Sequence, residues 1–340
     1  MVKFGIVGLG FMGAMHIKAL KNVQGARLAA ICNPSGRKLD GDLSNVSGNI
    51  GTQEPLKLDM SQIAAFRDFD ELLKSDVDIV DICTPTPTHL DLVTRALNAG
   101  KHVLCEKPVA RDSSSAKAMV EAAQKSGKIL MPAMCLRYWP EWHYIKSLNE
   151  SGIYGPIKAA RFRRVAEPPA WGQNSYFDGQ KSGGGLFDLH VHDTDFVQYI
   201  FGKPTAVFSQ GYSKVSGAID HVMTQYVVDS GATVSAEGSW TMTPGFGFNM
   251  AYTVQFEKAT LDYDFGRSDE PLRLFLDGGE KHVVSLTGTD GYVGELQNLT
   301  DAVANGTAPS RVTPQDGLNS VLICEAEEKS ALSGRLVEVA

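Results

Sequence analysis

The stretch from Lys3 to Gly13 constrains the fold more than any other. Lys3 to Val7 reads as a short apolar strand, and Gly8-Leu9-Gly10-Phe11-Met12-Gly13 leads from it into a helix running from about Ala14 to Lys21. Strand, G-x-G-x-x-G turn and helix in that order make the phosphate-binding part of a doubly wound α/β domain. Gly8 permits the tight turn, Gly10 lets the backbone approach a pyrophosphate, and Gly13 allows close helix packing, while the helix N-terminus offers unpaired N–H groups to the anion. The alternative is a glycine-rich turn that binds nothing.

The pattern continues as alternating helices and buried strands. Arg27 to Cys32 is a second strand, Asp68 to Lys74 a short helix, Val77 to Cys83 a third strand, Leu90 to Ala99 a helix stopped by Gly100, and His102 to Cys105 a fourth strand. A helix from about Ser114 to Ser126 and a strand from Ile129 to Pro132 complete the unit. Open sheets of this kind bind ligands beyond the carboxyl ends of their strands. Two segments fall there: Thr84-Pro85-Thr86-Pro87-Thr88-His89 and Cys105-Glu106-Lys107-Pro108. A lysine at a strand end is placed to exchange a proton with a substrate hydroxyl, since desolvation and neighbouring cations disfavour its charged form. A surface lysine before a turn-forming proline is the plainer reading.

The second strand ends at Asn33-Pro34-Ser35-Gly36-Arg37-Lys38. A carboxylate at this point would accept hydrogen bonds from an adenosine ribose. Asn33 replaces it, and Ser35, Arg37 and Lys38 are suitable donors to a 2′-phosphate, so NADP is expected over NAD. Solvated loop charges are the competing reading. Asp40 to Asp59, rich in Gly, Ser, Asn and Asp, is expected to be a long loop that covers the adenosine side or reaches a neighbouring subunit.

Beyond residue 132 the chain changes character. Gly183 to Gly185 leads into a helix whose Leu186, Leu189, Phe196, Val197 and Ile200 face a sheet, while Asp188 and His192, spaced i and i+4, share one face with Asp195 close by. A carboxylate beside a histidine favours the imidazolium. Asp188, His190, His192, Asp193 and Asp195 would also supply metal ligands, but on one helix they diverge, so no metal is expected. Strands then read at Ala206 to Tyr212, Asp220 to Val228, Thr233 to Trp240, Asn249 to Glu257, Ala259 to Asp264, Leu272 to Leu276 and His282 to Ser285, with turns at Asp229-Ser230-Gly231 and Asp277-Gly278-Gly279. This is an antiparallel sheet whose broad face suits an oligomer interface. Trp139, Trp142, Trp171 and Tyr292 are candidates to line a ligand cleft, though each alone is more often core.

With 340 residues and 43% apolar content, two domains are expected, at 1–132 and 133–340. A net charge of −7, with no clustered basic run, argues against a nucleic-acid partner. No apolar run is long enough to span a bilayer and no signal arrangement opens the chain, so a cytoplasmic protein is expected. Five cysteines without a C-x-x-C pair indicate neither a disulfide framework nor a zinc site.

Three segments together, GIVGLGFMG at 5–13, DICTPTPTHLDLVTRALNAGKHVLCEKP at 81–108 and GGGLFDLHVHDTD at 183–195, resemble the glucose-fructose oxidoreductase, inositol dehydrogenase and rhizopine catabolism protein family (Gfo/Idh/MocA). The resemblance covers nearly the whole chain, including a closing helical tail from Gly291 to Val339. It implies an N-terminal Rossmann domain, a C-terminal α/β domain with a large open, mostly antiparallel sheet, and a homodimer or homotetramer assembled through that sheet. It further implies that Lys107 lies near nicotinamide and substrate, that His192 is general base or acid, and that Asp188 helps hold substrate. Glu106, Lys107, the backbone of Cys83 and Thr84 with the adjoining Pro85, His89 and Arg137 match cofactor or cleft positions. The expected activity is NAD(P)-dependent oxidation of a secondary alcohol of a sugar, cyclitol or related polyol, or reduction of the ketone. A redox-neutral glycoside hydrolase or lyase using NAD transiently, and a dinucleotide-binding sensor, stay open as alternatives. The sequence departs from the family pattern in lacking the acidic residue after the second strand, in the long loop from Asp40, and in His190 where glycine is common.

Overall fold

Strand β1 (Val2–Val7) is nearly all buried, and it takes the centre of a six-stranded parallel sheet. The other strands are β2 (Ala26–Cys32), β3 (Ala64–Phe66), β4 (Ile79–Ile82), β5 (His102–Cys105) and β6 (Leu130–Pro132), in the order β3-β2-β1-β4-β5-β6. This is the strand order of a Rossmann domain, with its switch point between β1 and β4. Buried runs such as Ile79-Val80 and Val103-Leu104-Cys105 explain the parallel arrangement, because helices cover both faces of such a sheet. The structure is a computed structural model, described here for residues 1–48, 54–169 and 176–340.

Contacts divide the chain into Met1–Cys135 with Asp290–Leu318, and Leu136–Thr289 with Asn319–Ala340. The segment Asp290–Leu318, which the sequence reading placed beyond the boundary, packs with the first unit: helix Gly291–Asn305 lies on helix Phe11–Leu20 and β1. The loop after Asp40 is tied down rather than free. Leu43 and Leu56 are 1% and 4% exposed and join the cluster of Ile6, Leu9, Ala14, Ile17 and Ile31, and Asp42 pairs with Lys57 in an isolated bridge. Its residues 49–53 lie outside the described residues.

The second unit carries a nine-stranded sheet. Its strands are β7 (Ile157–Ala166), β8 (Ala206–Tyr212), β9 (His221–Val227), β10 (Thr233–Ser239), β11 (Phe248–Phe256), β12 (Ala259–Asp264), β13 (Leu272–Leu276), β14 (Lys281–Val283) and β15 (Val337–Glu338). The order is β14-β13-β12-β11-β7-β10-β9-β8-β15, antiparallel except for the β7–β10 pair. The ten-residue β7, which the sequence reading missed, sits between β11 and β10. Its alternation is spoiled on paper by Arg161, Arg163 and Arg164, the last of them buried against Asp193.

One sheet face packs on helices Pro140–Ser151 and Val191–Phe201. Trp142 is fully buried there, with its ring 5.9 Å from Phe162, 5.0 Å from Phe196 and 5.2 Å from Tyr252. Trp142 is therefore core, not cleft. Tyr292 is 7% exposed and also buried, in the first unit; Trp139 is only partly buried, against the core; Trp171 lies outside the described residues. The alternating burial of β9 leaves Met223, Gln225 and Val227 outward, beside a hollow of about 200 Å³ that Met223 and Gln225 help to line. Among the described residues, no helix is long and apolar enough to cross a membrane.

Candidate active site

In the first unit the glycine turn is built by close approach. Gly8 has φ +94°, and a Cβ there would lie 2.6 Å from the Cys83 carbonyl oxygen, while one on Gly13 would lie 2.1 Å from the Gly8 carbonyl oxygen. Neither position tolerates a side chain, so the turn closes tightly over the ends of β1 and β4. Gly10 differs: a Cβ there would meet nothing within 4 Å. Among the described residues its lack of a side chain serves no contact, and helix Phe11–Leu20, which it precedes, has no side-chain cap. A tight glycine turn leading into a helix N-terminus without a side-chain cap is what a pyrophosphate requires, so these residues fit a dinucleotide.

The adenosine end contains Asn33, Ser35, Arg37 and Lys38. The Asn33 side chain is spent on its own turn: Nδ2 donates to the Arg37 carbonyl at 2.8 Å, and Oδ1 accepts from the Ser35 hydroxyl at 2.9 Å. Lys38, at φ 62°, donates from Nζ to the Leu9 carbonyl at 3.0 Å, and burial pulls its pKa down. Of the groups expected to grip a 2′-phosphate, Arg37 is exposed, whereas Ser35 and Lys38 already hold the local backbone.

At the ends of β4 and β5 the polar groups turn inward or outward in a definite pattern. Lys107 is half-buried, and its backbone N–H donates to Glu106 Oε2 at 3.0 Å. Glu106, 5% exposed, points into the domain with its other oxygen 3.2 Å from His16 Nε2. That places its carboxylate in a buried cluster rather than in an outward cofactor contact. His89 is also an internal brace: Nε2 lies 2.8 Å from the Thr84 carbonyl and Nδ1 3.0 Å from that of Pro108. Burial lowers its pKa. It joins the Thr84-Pro85 turn to the loop after Lys107. Thr84 is half-buried, with its hydroxyl 2.7 Å from that of Thr88, and Pro85 caps the turn Thr86–Thr88.

In the second unit, Gly183 through Gln198 is buried at every position except Asp188 and His192. Its first part, Leu186–His190, is a π turn, a distortion frequent at functional sites, before the helix Val191–Phe201. The neighbouring candidates face inward, each to its own partner. His190 Nε2 lies 3.3 Å from Glu327 Oε1 and 3.1 Å from the Tyr226 hydroxyl. Arg164 Nε donates to Asp193 at 2.8 Å, and burial nevertheless raises the Asp193 pKa. Asp195 takes Arg137, which is 2% exposed. Arg137 thus belongs to the second unit's interior, where its guanidinium is bound to a carboxylate. The metal-ligand set imagined on this helix is dispersed by the same three pairings.

Sequence reasoning missed the group around His16. This fully buried histidine has Asp81 Oδ2 2.9 Å from Nδ1, and Glu106 and Glu295 oxygens 3.2 and 3.4 Å from Nε2. A carboxylate inside the apolar strand Ile79-Val80-Asp81-Ile82 was the available signal. His16, Asp81 and Cys83 also lie close enough to one another to hold a metal ion.

Comparison with known proteins identifies the family and the fold. Residues 2–134 match the model of the oxidoreductase family with an NAD-binding Rossmann fold, and residues 142–262 match the GFO/IDH/MocA C-terminal domain. The inositol 2-dehydrogenase of Rhizobium meliloti is 25% identical, covering 100% of this chain and 99% of its own. The scyllo-inositol 2-dehydrogenase (NAD(+)) of Bacillus subtilis is 27% identical, covering 99% and 96%. A levoglucosan dehydrogenase solved with NADH and L-sorbose has the same fold, with a TM-score of 0.84 at 22% identity over 100% of this chain and 99% of that one. The expected fold and family are borne out: the chain belongs to the Gfo/Idh/MocA oxidoreductase family.

Proposed function

We propose that the protein transfers hydride between a nicotinamide dinucleotide and a secondary alcohol or ketone of a cyclitol, sugar or related polyol. The observation carrying this reading is that Asp188 and His192 alone escape burial between Gly183 and Gln198. Two polar side chains left accessible on an otherwise buried helix, in a chain that also holds a tight glycine turn and a half-buried strand-end lysine, support a role in chemistry rather than packing. The relatives named above as inositol 2-dehydrogenases support the substrate class.

When bound, the nicotinamide supplies the hydride acceptor or donor. The Gly8 to Gly13 turn would hold the pyrophosphate, with Phe11 and Met12 in the first turn of the helix. Lys107 and His192 would exchange the hydroxyl proton, and Asp188 would hold a substrate hydroxyl. Proton transfer of this kind contributes about 10²- to 10⁴-fold in rate. The inward pairs of His89, Glu106 and Arg137 keep these elements in place.

We take NAD(H) as the working cofactor, supported by the family description and by the engagement of Ser35 and Lys38 within their own turn. A preference for NADP(H) keeps one specific support, the exposed Arg37 beside an uncharged Asn33. We further propose a homodimer or homotetramer through the open face of the nine-stranded sheet, supported by the outward Met223 and Val227, which are 53% and 47% exposed. A panel of cyclitols, sugars and polyols, each incubated with NAD⁺ and with NADP⁺ while reduced cofactor is followed, tests the reading. Absence of reduced cofactor across the panel would overturn it in favour of a redox-neutral enzyme or a sensor.

A further inference from the structure

Around His16 a set of buried titratable side chains gathers beside Lys107 in the first unit, and apart from Lys107 the proposed reaction uses none of them. Helix Phe11–Leu20 contributes His16; β4 and its end contribute Asp81 and Cys83; the end of β5 contributes Cys105, Glu106 and Lys107; helix Gly291–Asn305 contributes Tyr292 and Glu295. His16, Asp81 and Glu295 are wholly buried. The Tyr292 ring lies 6.0 Å from the imidazole, and Cys83 Sγ is 3.5 Å from Nδ1 and 3.4 Å from Asp81 Oδ1.

Carboxylate oxygens lie near both ring nitrogens, hydrogen-bonded at Nδ1 and in ion-pair contact at Nε2, and a neutral imidazole has one N–H. Only the doubly protonated ring offers a proton to each side. Three buried carboxyl groups without a cation would repel one another at low dielectric, so the imidazolium is the charge that makes the group tolerable. Glu106 then stands as a link: one oxygen lies by His16 Nε2, and the other accepts the Lys107 backbone N–H.

We propose that His16 is a positioning residue for the strand end carrying Lys107: held as an imidazolium between Asp81 and the Glu106–Glu295 pair, it fixes the Glu106 carboxylate, and Glu106 fixes the Lys107 backbone. The role of Lys107 itself rests on the reading under Proposed function. The electrostatics agree with the geometry. Although burial opposes it, the Asp81 carboxylate raises the His16 pKa well above its ordinary value; burial also pushes Glu106 up, yet His16 and Lys107 bring it down on balance. Burial raises Glu295 to about 7, which leaves its proton in place through mildly acid pH and limits the negative charge in the group.

Nitrogen NMR of the full-length protein with NADH added reads the ring directly. Both His16 nitrogens are expected to be protonated at pH 7.5, a neutral ring would overturn the proposal, and this measurement needs no variant to fold. Metal analysis of the purified protein supplies a second check, since a stoichiometric divalent cation released together with a change in the His16 signals would replace the imidazolium account.

In His16→Gln the Lys107 amide is expected to exchange hydrogen about tenfold faster or more while the amides of β5 stay unchanged. Equal loosening of the whole strand would show a packing role and overturn the proposal. On the polyol panel with NAD⁺, His16→Gln should lower turnover about 10- to 100-fold, and His16→Gln with Lys107→Ala should be no slower than Lys107→Ala alone. Fully additive losses, or unchanged turnover in His16→Gln while Lys107→Ala collapses, overturn the positioning role. Retained turnover in Lys107→Ala would instead remove the reading of Lys107 and leave the His16 and amide results to stand or fall separately.

Discussion

Arg137 grips Asp195 with two parallel contacts, Nε to Oδ2 at 2.8 Å and Nη2 to Oδ1 at 2.7 Å, and both side chains are buried. Gln198 Nε2 and the Ser320 hydroxyl donate to the same Oδ1 at 3.0 and 3.1 Å, so the carboxylate is fully engaged. Such a pair adds modest net stability when whole but is costly to halve, because the remaining charge stays buried. Asp195→Ala is therefore expected to destabilise the protein by about 3–5 kcal/mol, read from denaturant unfolding. A loss under about 1 kcal/mol would show that the Arg137 guanidinium reaches water once released.

Lys107→Ala is expected to lower turnover by about 10²-fold or more with NADH affinity within a few-fold of wild type. His192→Ala should lower turnover comparably and remove the limb of the pH–rate profile that follows an imidazole. Steady-state kinetics with fluorescence titration of NADH separates the two effects. Near-normal turnover in either variant would return that side chain to a structural role.

The Rossmann half was legible because its signals are local. The strand, glycines and helix are contiguous, and β2, β4, β5 and β6 fall within two residues of the runs read for them. What stayed hidden depends on distant partners. His89, Glu106 and Arg137 match cofactor or cleft positions by motif, yet the atoms that turn them inward belong to Thr84, His16 and Asp195. Strand β7 was missed for a similar reason, since Arg164 looks solvated until Asp193 is found beside it. By contrast, the i and i+4 spacing of Asp188 and His192 survived as a shared accessibility, even with a π turn beneath Asp188.

Gly238 of β10 supports that helix by being small. A Cβ there would lie 2.4 Å from the His190 Cβ, a distance no side chain accepts, so Gly238→Ala must push His190 away from Tyr226 and Glu327. The expected cost is about 1–3 kcal/mol from overpacking, with reduced turnover because Asp188 and His192 share the displaced segment. Thermal unfolding and kinetics check both. Unchanged stability would show that helix and strand can separate without loss.

Cofactor choice at the second strand rests on Arg37. With Ser35 and Lys38 engaged locally, wild type is expected to bind NAD⁺ at least as tightly as NADP⁺. An exposed guanidinium reaching a phosphate would reverse that by about tenfold or more. Calorimetric titration of both cofactors into wild type and Arg37→Ala decides it. Tighter NADP⁺ binding that disappears in Arg37→Ala would restore the sequence-based expectation.

The buried acid Glu295 makes stability depend on pH in a direction opposite to that of an ordinary salt-bridged carboxylate. Its folded pKa of about 7 exceeds the ordinary carboxyl value of 4.5, so between those limits the folded protein holds a proton that the unfolded chain has released. Stability contributed by this group therefore falls as pH rises from 4.5 to 7, and is level above. His16 acts in the same sense: its folded pKa is raised above 6.5, so its contribution is complete below that value and is lost as pH climbs through the raised one. Glu295→Gln removes the first component and leaves the packing nearly unchanged. Relative to wild type, the variant should gain on the order of 2–3 kcal/mol between pH 5 and pH 8, seen as paired denaturation curves that converge in acid and separate in base. Parallel pH dependence in the two proteins would mean that the Glu295 carboxyl is ionised throughout, and that the imidazolium of His16 is shared by three full negative charges.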